Sequence, residues 1–295
     1  MSSAMNPFSP LTPGDRAPGP VRAAHVIFAL LFTLALLAWA GAASAKELHE
    51  RFAAYDVRSA QRVDHSAWNR LLRKYLHKGK DNLGLNRFDY AGLNAGGMAG
   101  LKKYLSYLQS VDVSRLSRPE QFAFWTNLYN AKTVEIVAAH YPVHSIRDIR
   151  LSGLFVPGPW GEKVVTVSGV RLSLDNIEHG ILRPIWRDPR IHYAANCASV
   201  GCPNLLPRAY SGASLEQMLD EAARAYINSP RGVRFNGSRV VVSSLYDWYA
   251  ADFGGSVESV LAHLRKYAEP ALAKRISRVT RFAGYDYNWT LNDKQ

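Results

Sequence analysis

"SRPEQFAFWTNLYNAKTVEIVAAHYP", Ser117 to Pro142, is the stretch around which the rest of the chain must arrange itself. Ser117 and Glu120 have capping-box spacing, and Pro119 suits a first helical turn. Phe122, Trp125, Tyr129 and Ile136 line one side of the helix this predicts, while Phe124, Leu128 and Val134 leave little polar surface elsewhere. A helix apolar nearly all round is buried, and Pro142 stops it. We expect a central core helix here. Asn127 and Asn130 lie three apart, hence on one face. Buried amides need partners, so both are expected to hold a loop or line a cavity.

Working outward, "VDHSAWNRLLRKYLHK" places Trp68, Leu71, Leu72, Tyr75 and Leu76 at helical spacing. "MAGLKKYLSYLQSV" does the same with Leu101, Tyr104, Leu105 and Leu108. "KVVTVSGVRLSL" reads as a hairpin about Ser168-Gly169, and "VRFNGSRVVVSS" as another about Asn236-Gly237. "LDNIEHGILR" is a short helix capped by Ser173, "RIHYAAN" a short strand, and "SLEQMLDEAARAYIN" an amphipathic helix with a Ser214/Gln217 capping box. "SVESVLAHLRKY" is the last clear helix. Hairpins mixed with helices, without regular strand–helix alternation, predict an α+β fold. We expect residues 46–116 to form a helical N-terminal section and residues 117–295 a core of mixed helices and antiparallel hairpins.

Residues 1–45 read as a leader. Arg16 and Arg22 precede an apolar run, Val26 to Ala40, of signal-peptide length, and "ASA" at Ala43–Ala45 is a cleavage signal. The alternative is an uncleaved N-terminal anchor. The mature chain is therefore expected to be exported, to the periplasm, with no membrane-spanning segment after cleavage. Removing Arg16, Arg22 and Asp15 lowers the formal net charge from +12 only to +11. So basic an exported protein fits an anionic cell-envelope component, or simple solubility. Export removes nucleic acid as a partner.

"IHYAANCASVGCPNLL", Ile191 to Leu206, holds both cysteines of the chain. Three readings compete. Cys197 and Cys202 close a small disulfide loop, of modest stabilising value for so short a span. Or they join His192 and His179 in a zinc site, although the spacing fits no common zinc ribbon or finger. Or one is a nucleophile. With "IHYAAN" a strand and "CPNLL" a helix start, the thiol sits where helix N–H groups lower its pKa and hold an oxyanion near Gly201 and Cys202. Strand alternation points His192 with Asn196. Glu178 and His179, about 100° apart on a helix, cannot share one task, but one of them can face the cysteine turn. A thiol nucleophile needs a base and a group that orients the base. Against these stand plainer roles: a satisfied core histidine, a surface carboxylate, structural amides. "YDWYAADFG" and "YDYNWTLN" read as aromatic core with a capping Asp.

Taken together, "FWTNLYNA", "SLDNIEHGILR", "RIHYAANCASVGCPNL", "YDWYAADFG" and "YDYNWTLN", in order from about Ser117 to Asn292, resemble the domain of unknown function 547 family. That resemblance implies a distant similarity to papain-like and transglutaminase-like cysteine enzymes, on a core permuted relative to papain. It also implies a Cys–His–Glu site. Carried over, the residues are Cys197, a histidine and Glu178. Bacterial members share the two-cysteine pattern. Plant members keep Cys197 and place serine at Cys202, which favours Cys197 as nucleophile. Plant relatives often lack a match to His179, so His192 ranks first as base. The expectation is a thiol-dependent hydrolase or transferase acting on peptide or thiol-peptide substrates, with His179, Cys202, Asn127 and Asn196 as further site candidates and no metal or cofactor. The alternative is a non-enzymatic envelope binding protein with a Cys197–Cys202 structural disulfide.

Overall fold

The structure is a computed structural model that describes residues 47–151, 153 and 156–294. The leader and its cleavage signal lie outside the described residues. Helix α1 (Ser66–Tyr75) leads into a two-residue ladder of β1 (Leu76–His77) with β2 (Arg87–Phe88). Helix α2 (Ala95–Gln109) precedes the long α3 (Arg118–His140). A hairpin of β3 (Val165–Val167) and β4 (Val170–Leu172) follows, then a widened π-type turn, Asn176–Leu182, continuing as α4 (Arg183–Trp186). The single turn α5 (Ile191–Ala194) and helix α6 (Leu215–Ile227) come next. The second half adds β5 (Val233–Asn236), β6 (Arg239–Ser243), α7 (Leu245–Trp248), a 3-10 turn at Ala250–Phe253, α8 (Val257–Tyr267), α9 (Pro270–Ile276) and β7 (Gly284–Asp286). Strand β6 pairs antiparallel with β5 and parallel with β7. The fold is α+β, with small sheets set among helices.

The central helix is as its pattern dictates. Phe122, Phe124, Trp125, Leu128, Tyr129, Val134 and Val137 on α3 are all buried, so every side of it is covered. Each large apolar side chain removed from water contributes about 1.5–3 kcal/mol. Around it gather Leu48 and Phe52, the α1 and α2 stripes (Trp68, Leu72, Leu101, Leu105, Leu108) and the β3–β4 hairpin, in one continuous core. A second cluster joins α6, the β5–β6 hairpin and α8 through Tyr226, Val240, Val242 and Leu264. Helix α5 stands at the seam, Ile191 and Ala194 in the first cluster and Tyr193 in the second.

Several local readings are corrected. Residues 191–194 are helical, not a strand. All six residues from Ile191 to Asn196 are buried, so there is no alternation for a strand to express. "CPNLL" starts no helix. Its backbone is held open by side chains instead: Asn196 donates to Pro203 O at 2.7 Å and Arg231 to Cys202 O at 2.5 Å. Ser117 is the N-cap of α3 but makes no side-chain cap bond. The Glu120 carboxylate, 1% exposed, accepts from Val63 N at 2.8 Å and Gly212 N at 3.0 Å, tying distant segments to the helix start. Ser214 likewise makes no cap bond and pairs with Ser211. In the β5–β6 hairpin Asn236 pairs with Arg239, so the two-residue loop is Gly237-Ser238, one position later than the Asn-Gly signal.

Candidate functional site

Both helix amides clamp loops. Asn127 donates to Tyr210 O (2.8 Å) and accepts from Tyr210 N (3.0 Å). Asn130 donates to Ala194 O (2.9 Å) and accepts from Asn196 N (2.8 Å). Each copies a β-ladder pair with a side chain, which satisfies buried backbone that no strand could reach. Asn130 thereby pins the chain just before Cys197. Asn196 continues the chain of bonds, accepting from Ala198 N (3.0 Å) and reaching Pro203 O.

The cysteine loop is fixed from two further sides. The C-terminal tail runs along it: Gly201 N donates to Asn288 O (2.7 Å), Val200 N to Thr290 O (2.8 Å) and Asn292 N to Ala198 O (3.1 Å). A Cβ on Gly201 would lie 2.7 Å from Asn288 N, so only glycine admits this approach. Arg231, pushed below its ordinary pKa by burial, donates to Cys202 O, Leu83 O and Asn204 Oδ1 from behind. Ala198 sits at φ 58°, a left-handed conformation that costs a non-glycine residue about 1–2 kcal/mol. Gly201 N and Cys202 N, expected to hold an oxyanion, are occupied: the latter donates to Ser199 O at 3.1 Å.

Cys197 and Cys202 are free thiols, with sulfurs 2.9 Å apart. Cys202 is 2% exposed, and burial pushes its thiol well up. Cys197 is partly exposed. The hydrogen bond between Cys197 and Cys202 lowers the Cys197 thiol below its ordinary value, against burial, with help from Ser199 (3.4 Å) and Tyr287 Oη (3.0 Å). Donors aimed at a sulfur favour its charged form.

The π-type turn carries Glu178 and His179. Such a turn is frequent at functional sites because it breaks the regular 3.6-residue repeat. His192, from α5, is 3% exposed and stacks on Tyr249 at 4.0 Å. Its Nε2 lies 2.6 Å from Asp252 Oδ2, and its Nδ1 is 3.8 Å from Glu178 Oε1. Arg183 holds the same Asp252 through Nε at 2.6 Å and Nη2 at 3.0 Å. Burial raises Asp252, but the bonds from His192 and Arg183 outweigh it and hold the carboxyl well below the usual range. His179 faces Arg183 Nη1 (3.2 Å), with Asp175 at 3.7 Å on its other side.

Glu178, His179, His192, Cys197 and Cys202 open on one cavity of about 360 Å³, walled by Tyr129, Trp160, Trp248, Tyr249, Tyr287 and Trp289. Asn127 and Asn196 do not line it; Asn196 holds Pro203, which does. His192 makes no hydrogen bond to Cys197; the acid nearest its ring is Asp252 rather than Glu178. Asp252, Arg183, Tyr287, Ser199 and Arg231 were not singled out from the sequence. Asp252 and Tyr287 stand in two of the quoted aromatic stretches, but nothing local in either showed that it faces His192 or Cys197. Among the described residues, no group of three or more His, Cys, Asp or Glu is placed to hold a metal ion. No described helix is long and apolar enough to cross a membrane.

Residues 113–227 match the family described as Protein of unknown function, DUF547. That segment contains Glu178, His192 and both cysteines and stops before Asp252 and Tyr287. No curated protein and no solved structure matches the chain.

Proposed function

We propose that this protein is a thiol-dependent hydrolase or transferase with Cys197 as nucleophile, acting on amide or thioester carbonyls of peptide or thiol-peptide substrates. The observation that carries this reading is the depressed, partly exposed Cys197 thiol sharing one aromatic-walled cavity with the His192–Asp252 pair. Cys197 passes its proton to His192 across the cavity, and Cys202, Ser199 and Tyr287 favour the thiolate it leaves. The thiolate attacks the carbonyl carbon, forming a C–S bond and an oxyanion. Collapse breaks the C–N or C–S bond of the substrate, and the leaving group takes a proton from His192. Water or a second amine then attacks the thioester, returns a proton to His192 and releases Cys197. Asp252 orients the imidazole and stabilises its charged form, the part an acid plays in a triad. Glu178, across the ring from Asp252, faces the other nitrogen, Nδ1, at 3.8 Å. Similarity to papain-like enzymes enters as shared chemistry on a permuted order, histidine before cysteine. The leader-like residues 1–45 support an exported, periplasmic setting.

The test is acylation by p-nitrophenyl acetate, followed by intact mass and peptide mapping. Acetyl on Cys197, lost in Cys197→Ala, is expected. Equal labelling of both proteins, or labelling confined to lysines, overturns the proposal. The 2.9 Å sulfur separation supports a second reading, a binding protein with the pair closed as a disulfide. It predicts no free thiol in unreduced protein and no acylation after reduction.

A further inference from the structure

We propose that the cavity beside Cys197 receives a primary ammonium group of its ligand, seated between the Glu178 and Asp175 carboxylates and the aromatic wall of Trp160, Trp248 and Tyr249. Charge gives the first reason. The chain carries a formal net charge of +12, yet the described lining of this cavity holds Asp175 and Glu178 and no Lys or Arg. Arg183 lies against Tyr249 at 4.9 Å, its guanidinium bonded to Asp252 and His179, and Arg147 lies over Trp289 at 5.2 Å.

Glu178 gives the second and independent reason. It is 8% exposed, lines the cavity and makes no hydrogen bond among the described residues. The ring nitrogens nearest to it are His192 Nδ1 at 3.8 Å and His179 Nδ1 at 4.0 Å, both beyond hydrogen-bond length. A buried carboxylate with no donor against it is a ready acceptor, and its open side is the cavity. Asp175 stands nearby: burial raises its pKa, His179 at 3.7 Å lowers it and Glu178 raises it. A cation beside both carboxylates offsets their mutual repulsion.

The aromatic wall decides the kind of cation. Trp248 is half exposed and stacks with Trp289, which Trp160 meets edge-on at 5.7 Å. Indole and phenol faces attract organic ammonium groups, whereas a hydrated metal ion prefers a cage of oxygen ligands. The ligand class is therefore an amine-bearing peptide, presenting either a free amino terminus or a lysine-type side chain to a thiol that attacks a neighbouring carbonyl. This deepens the thiol-enzyme reading and rests on it only for the reaction.

Binding is tested on full-length Cys197→Ala, so that it is independent of thiol chemistry. The readout is tryptophan fluorescence, since Trp160, Trp248 and Trp289 face the cavity. One probe pair is glycyl-alanine amide against its N-acetylated form. The other is Nα-acetyl-lysine methylamide against its Nε-acetylated form. At least one amine is expected to bind about ten-fold tighter than its acetylated counterpart, which fixes the amine's source. Adding Glu178→Gln should erase that preference while the neutral probe binds as before, which also shows that the variant is folded. Asp175→Asn, at a half-exposed site, should reduce the preference in part. Equal affinities within each pair, no binding at tens of millimolar, or a preference that survives Glu178→Gln overturns the proposal. Failed acylation in the preceding test, with the amine preference intact, refutes the enzyme reading alone.

Discussion

Cys202→Ala isolates what makes the Cys197 thiol acidic. In the folded protein the Cys202 sulfur lies 2.9 Å from that of Cys197 and is the largest influence lowering its pKa. A hydrogen bond to a charged group contributes about 1.5–3 kcal/mol. A thiol is a weak donor, so the lower end applies. Since one pKa unit corresponds to about 1.4 kcal/mol, removal should raise Cys197 by about one unit. Ser199 and Tyr287 remain as donors, so the rise should not be larger. The same substitution strips Cys197 N–H of its acceptor, Cys202 Sγ at 3.0 Å, and should cost about 1–3 kcal/mol of stability. The assay is the rate of iodoacetamide alkylation against pH under reductant, read by intact mass. Wild type should titrate below the free-cysteine value of about 8.5, with Cys202→Ala about one unit higher and Cys202→Ser between them. A midpoint in Cys202→Ala equal to or below wild type refutes the account of the thiolate.

Asn130→Ala leaves Asn196 N–H and Ala194 C=O unpaired in the core, and each should cost about 1–3 kcal/mol. Urea unfolding should show a combined loss of about 3 kcal/mol; a loss under about 1 kcal/mol would mean that water or a shifted loop replaces the clamp. Asp252→Asn tests the salt-linked histidine. A carboxyl held below its ordinary value contributes stability that is present above the unfolded pKa of about 3.9 and is lost as pH falls through the folded value. The difference in thermal midpoint between wild type and Asp252→Asn should therefore be greatest above about pH 5 and shrink below about pH 4. Parallel curves across that range would exclude Asp252 as the paired carboxylate.

The central helix was legible in the residues of Ser117 to Tyr141 because burial on all sides leaves an unmistakable mark, apolar residues without a polar face. The two stripes on α1 and α2 and the glycine-marked hairpins were legible for the same reason: periodicity and φ preference act within a few residues. The seam failed on the same terms. Ile191 to Asn196 is buried throughout, so helix and strand give one pattern, and the choice fell to Asn130, sixty-six positions before the Asn196 N–H it accepts. Glu120 failed similarly: its spacing fits a capping box, but Val63 and Gly212 bring it two backbone donors it satisfies instead.

The candidate site divides along this line. Residue chemistry alone picked out Cys197, Cys202, His192, His179 and Glu178, because thiols, imidazoles and a neighbouring carboxylate are scarce and reactive wherever they stand. What the chain could not express locally was which of them meet. Tertiary packing set Asp252 rather than Glu178 against the His192 Nε2, placed Tyr287 from the tail on the Cys197 sulfur, and spent the Gly201 and Cys202 N–H groups on backbone carbonyls. A side chain's chemistry is carried by the residue itself, while its partner is fixed by the closure of loops sixty or ninety residues long, which no local preference encodes.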